Sequence, residues 1–83
     1  MDHTLAYLRE TLSNYTDTHT DGKKIYQKLI NSHYRTEEAF VRALSSKEIE
    51  FLNKILPDEI KYAQEEQDEK RSHELNEVYE LLI

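Results

Sequence analysis

Apolar residues recur along this chain at alternating spacings of three and four. Leu5, Leu8, Leu12 and Tyr15 form one such stripe, which predicts a first amphipathic helix with Asp2 or Thr4 as its cap. The run Thr16-Asp17-Thr18-His19-Thr20-Asp21-Gly22 interrupts it with short polar side chains and the chain's single glycine, and is read as a loop. A second helix is expected from about Lys23 to His33, with Ile25, Tyr26, Leu29, Ile30 and His33 inward. Thr36 is placed to cap a short third helix with Glu37 and Glu38 in its first turn and Ala39, Phe40, Ala43 and Leu44 on its buried side.

Ser45 followed by Glu48 has the form of a capping box, and Ile49, Leu52, Ile55 and Leu56 supply the face of a fourth helix behind it. Pro57 lacks an amide proton and disfavours helical geometry at Leu56, which predicts a break or kink there. From Asp58 to Leu82 the sequence reads as a long C-terminal helix of about 37 Å. Its stripe is uneven: Ile60 and Ala63 give way to Gln64, Gln67 and Arg71 before Leu75, Val78, Tyr79 and Leu82 restore it. The polar middle is either a span crossing solvent or the site of a bend near Asp68. On this helix Glu66 and Lys70 are expected to pair at the i, i+4 spacing.

The expected fold class is therefore all-α: a small bundle of four to five helices in one domain over residues 1–83, with the long last helix following the break or kink at Pro57. At 83 residues such a chain buries only about 60–65% of its unfolded surface. Cysteine is absent, so helix packing or self-association has to stabilise the fold. The chain contains neither an apolar run long enough for a membrane span nor an export-signal pattern. The expectation is a cytoplasmic protein.

Charge is distributed unevenly. The net charge is −6, and all of it arises from Ser45 onward, where eleven acidic residues face five basic ones. Phosphate backbones are recognised largely by Lys and Arg, so nucleic acid is a disfavoured partner despite a modest cluster at Lys23, Lys24 and Lys28. His3, His19, His33 and His73 are scattered without i, i+3 or i, i+4 pairs, which argues against a metal. Adjacent acids such as Glu65 with Glu66, or Asp68 with Glu69, splay around a helix instead of converging, and one glycine cannot build a phosphate loop. The expectation is a non-enzymatic protein without cofactor. The six tyrosines, Tyr7, Tyr15, Tyr26, Tyr34, Tyr62 and Tyr79, are read first as the rim of a small core. The candidate interaction surface is Tyr62, Glu65, Glu66, Asp68, Glu69 and Tyr79, for a protein partner or self-association as a homodimer. A competing reading is an acidic regulator that covers the basic surface of a DNA-binding protein or sigma factor.

Three segments carry a more specific likeness. Thr4-Leu5-Ala6-Tyr7-Leu8-Arg9-Glu10 with Leu12-Ser13-Asn14, then Phe51-Leu52-Asn53, then Glu59-Ile60-Lys61-Tyr62-Ala63-Gln64 with Glu66-Gln67-Asp68 and Glu74 to Leu82 together resemble the CsgA family. Members of that family are sigma-G-dependent, sporulation-specific proteins grouped in name with the small acid-soluble spore proteins. The resemblance implies expression in the forespore late in sporulation and supplies no catalytic residues. The major DNA-protecting spore proteins are glycine-rich and unstructured without DNA. The patterned core here departs from them.

Overall fold

The computed structural model describes residues 3–82, which form five α-helices: α1 (His3–Leu12), α2 (Thr20–Asn31), α3 (Glu37–Arg42), α4 (Ser46–Glu65) and α5 (Glu69–Leu82). A 3₁₀ turn, Ser13–Tyr15, leads out of α1. The core is built from Leu5, Leu8 and Leu12 of α1, Ile25 and Leu29 of α2, Phe40 of α3, Leu52 and Leu56 of α4, and Leu75 and Val78 of α5. Helix α5 packs on α4, α1 and α3, and α2 bridges α1 and α4. The apolar end of the chain thus folds back onto the first stripe.

Most element starts follow the local signals. Thr36 Oγ1 accepts the Ala39 amide at 3.1 Å, so α3 is capped as its sequence predicts. Ser45 Oγ accepts the Glu48 amide at 3.2 Å while Glu48 Oε1 accepts the Ser45 amide at 2.8 Å, completing the capping box of α4. Asp2 lies outside the described residues.

Helix α2 departs from expectation at both ends. Gly22 lies inside its first turn, and it is buried. A Cβ there would meet the Tyr15 Cβ and carbonyl oxygen at 2.9 Å and Phe51 Cζ at 3.1 Å. Glycine is present because two chain segments cross closely, so the loop shortens to residues 16–19. At the other end the helix stops at Asn31, leaving His33 beyond it and exposed. Ile30 is 48% exposed: Gly22, Ile25 and Leu29 already define the buried stripe, and Ile30 lies about 100° around from Leu29. Ala43, expected on the buried side of α3, caps its end and is exposed.

The larger corrections concern Pro57 and the last helix. Of the break or kink expected at Pro57, the break is absent: α4 runs through the proline to Glu65. Leu52, Leu56 and Ala63 on either side are buried, and their packing outweighs the roughly 3 kcal/mol an interior proline costs. Pro57 itself is exposed. It leaves the Asn53 carbonyl without its usual helical donor, and the Asn53 side-chain oxygen is also buried without a partner.

The helix ends instead in the polar middle. The Gln67 amide donates to the Gln64 carbonyl at 3.1 Å and the Asp68 amide to that of Ala63 at 2.8 Å, with Gln67 left-handed at φ 60°. This is a Schellman termination that uses glutamine where glycine is favoured. Asp68 then starts α5, its carboxylate accepting the Arg71 amide at 3.1 Å. Of the two alternatives for the polar middle, a span crossing solvent or a bend near Asp68, the bend is the one present. A single helix of about 37 Å would exceed the longest dimension of the fold, 30 Å. The break also separates Glu66 from Lys70, so their i, i+4 pairing does not form.

Two substitutions test these backbone assignments. Pro57→Ala restores an amide donor to Asn53 and should stabilise the fold by about 1–2 kcal/mol after the loss of proline's restriction of the unfolded chain. Thermal unfolding should show a midpoint raised by roughly 5–15 °C. Gln67→Gly should stabilise by about 0.5–1 kcal/mol, as relief of left-handed strain exceeds the added chain entropy. Urea unfolding should show a higher midpoint with an unchanged slope.

Candidate functional site

Helix α4 reaches the surface along its last two turns. Tyr62 is 54% exposed, and helical spacing places Asp58 and Glu59 one turn before it and Glu65 and Glu66 one turn after it on the same face. The Glu66 amide still bonds the Tyr62 carbonyl at 3.0 Å, so this register holds to the end of the helix. Glu65, Glu66 and Glu69 are exposed. Glu69 lies across the corner on α5, where it lines an open groove of about 780 Å³ together with Ile60, Gln64, Gln67, Ser72, His73 and Asn76.

The fold therefore keeps Tyr62, Glu65 and Glu66 on one face of α4, whereas Glu69 lines the groove beside Ile60 and Gln64, each about 200° around the helix from Tyr62. It does not bring Asp68 or Tyr79 into the same arrangement. Asp68 is half-buried and holds the start of α5 by capping it and by pairing with Arg71 Nε at 3.5 Å. Tyr79 packs against the core, ten residues or about 15 Å of helix beyond Glu69. Tyr7, Tyr26 and Tyr34 also border the core, as rim tyrosines do.

Arg71 is a half-buried polar link at the edge of the core, which its place in an interrupted stripe did not announce. It donates to Glu10 Oε1 at 2.5 Å and to Thr11 Oγ1 at 3.2 Å, and its guanidinium stands 5.6 Å from the centre of the Tyr7 ring. Burial alone would lower its pKa. The hydrogen bond and charge of Glu10, joined by Asp68, instead raise it. One side chain thereby ties the start of α5 to α1.

A second polar link joins α2 to α4. Lys28 Nζ donates to Glu48 Oε1 at 2.6 Å and to the Ala43 carbonyl at 2.7 Å. Glu48 is only 3% exposed. Burial pushes its carboxyl pKa up, but the Lys28 hydrogen bond, the Ser45 amide and the Lys28 charge together hold it below its ordinary 4.5. The capping box located Glu48; its lysine, twenty residues earlier in the chain, left no local signal. Lys28 is thus engaged internally, which removes one member of the basic cluster and leaves Lys23 and Lys24 exposed.

Among the remaining candidates, the His19 ring lies 5.6 Å from that of Tyr15 and 5.5 Å from that of Phe51. His73 approaches Glu77 at 3.0 Å. Among the described residues no three His, Cys, Asp or Glu side chains are grouped as metal ligands would be, and no helix is long and apolar enough to cross a membrane. Tyr15 has its pKa raised by burial first, then by Glu59, which hydrogen-bonds it, and by Tyr62 and Asp58. The outer half of α4 is therefore a region of negative potential.

The whole chain, residues 1–83, matches the family CsgA, described as minor curli fiber component A. A protein of Bacillus subtilis (strain 168) named "Sigma-G-dependent sporulation-specific SASP protein" is 53% identical over 83 residues, covering all of both chains. No solved structure matches.

The Lys28–Glu48 link predicts a pH dependence. The folded-state carboxyl lies below its unfolded value, so its contribution is fully present above about pH 4.5 and is lost as pH falls through the folded value. Glu48→Gln should cost about 1–2 kcal/mol at neutral pH by removing the carboxylate charge from its bonds with the Lys28 ammonium and the Ser45 amide. Chemical denaturation as a function of pH should show a smaller loss on acidification in the variant than in the native chain.

Proposed function

Because this chain belongs to the CsgA family, we propose that it is a small non-enzymatic protein of the forespore that works by association with a protein partner through the exposed end of α4. Full-length identity to a sporulation-specific relative supports the setting. The family description names a fibre component, yet stacked-strand fibres need strand edges, and the described residues contain helices and no strand. The sporulation name is therefore the better guide.

The observation that carries association is Tyr62, a large aromatic side chain left 54% exposed, more than Ile30 at 48% or Leu81 at 37%. Leu75 and Val78 are buried by the chain's own α1, α3 and α4, so the core does not require a second copy. An isologous dimer through the α4 face would bring together two copies of a surface that carries Asp58, Glu65 and Glu66, and like charges across an interface are costly. A different protein is the favoured partner. Non-enzymatic action is supported by the roles of Tyr15, Glu48 and Arg71: each side chain with a displaced pKa joins structural elements.

Affinity capture with the full chain from sporulating cells, run beside a Tyr62→Ala/Glu65→Gln/Glu66→Gln variant, tests this reading. The native chain should retain a complex that the folded variant loses. Light scattering that shows a monomer, with no protein lost between the two captures, would overturn it.

A further inference from the structure

Tyr62 is more exposed than Ile30 or Leu81, the other large apolar side chains at the surface among the described residues. Its surroundings are chemically one-sided. Asp58, Glu65 and Glu66 share its helix face at the i−4, i+3 and i+4 positions, with Glu59 at i−3 bonded to Tyr15. Lys61 follows Asp58, Glu59 and Ile60 in the chain but projects about 100° away from Tyr62.

A partly exposed site between α1 and α5 shows what such an arrangement holds. Glu10 stands three residues after Tyr7, and Arg71 fills the space they define, over the ring at 5.6 Å and paired with the carboxylate. Tyr62 and Glu65 repeat that spacing at the surface, with Glu66 as a second carboxylate. A planar guanidinium can lie on an aromatic face while its fork meets a carboxylate, which an ammonium cannot do as well.

We infer that Tyr62, Glu65 and Glu66 form a docking site for an arginine side chain carried on a basic segment of a protein partner. This deepens the association reading and rests on it. Carboxylates alone would attract lysine and arginine alike, whereas the ring gives arginine the advantage. The negative potential that helps raise the Tyr15 pKa favours the approach of such a segment.

The test is an NMR titration of the isotopically labelled full chain with an alanine-based helical peptide bearing arginines four residues apart, and with its all-lysine counterpart. Shifts should centre on residues 58–66, and the arginine peptide should bind about 2- to 5-fold more tightly. Tyr62→Phe should keep that preference and Tyr62→Leu should abolish it. Glu65→Gln/Glu66→Gln should weaken both peptides. Equal affinities, shifts scattered over the whole acidic surface, or a preference that survives Tyr62→Leu would overturn the inference. Tyr62 shifts that follow the chain's own concentration without peptide would identify a second copy as the occupant and also overturn it. A cellular complex that survives Tyr62→Leu would leave association standing and remove this site from it. Absence of any complex with the native chain would remove the association reading itself.

Discussion

The reversal of the chain at Glu66, Gln67 and Asp68 is the constraint on which the rest of the structure depends. Twenty residues of α4 and fourteen of α5 would otherwise project beyond any surface that α1 to α3 can offer. One left-handed residue turns α5 back so that Leu75 and Val78 meet the leucines of α1. The turn is secured by its own main-chain bonds and by the Asp68 cap. Its cost is the placement of glutamine in a conformation that L-residues disfavour. The apolar area that α5 covers offsets this cost.

The reversal also determines how the charges are used. Arg71 comes to face α1, where Glu10, Thr11 and the Tyr7 ring engage it. Lys28 and Glu48 do the equivalent work between α2 and α4. Both links replace hydration with charge-assisted bonds at the edge of a small core, and such links favour one arrangement of helices over its alternatives. Several charges that look like surface residues are thus part of the scaffold. Of the acids left outside, Asp58, Glu65 and Glu66 surround Tyr62, and Asp17, Glu38, Glu50, Glu69 and Glu80 lie elsewhere on the surface.

Family membership and physical chemistry contribute different parts of the functional picture. Identity over the full chain supports the sporulation setting, and the fold supplies the distinction between side chains that hold the molecule together and those free to meet something else. Tyr79 and Asp68 belong to the first group. Tyr62, Glu65 and Glu66 belong to the second, and their concentration on one helix face makes recognition of a basic segment the chemistry that the surface favours.

Periodicity, caps and composition by themselves determined the helical class, the starts of α3 and α4 at Thr36 and Ser45, and most of the buried leucines, because each depends on residues within one or two turns. The acidic end was equally legible, since charges need no fold to be counted, but the exposure of Tyr62 was not, because the sequence reads it equally well as part of the core rim. Only the tertiary structure decided that α4 passes through Pro57, that Gly22 marks a close crossing inside a helix, that Ile30 faces outward, and that Lys28 and Arg71 turn inward. Each of these depends on what another segment places nearby. Packing of Leu52, Leu56 and Ala63 can outweigh a local helix breaker, and a partner twenty or sixty residues away leaves no trace in local spacing.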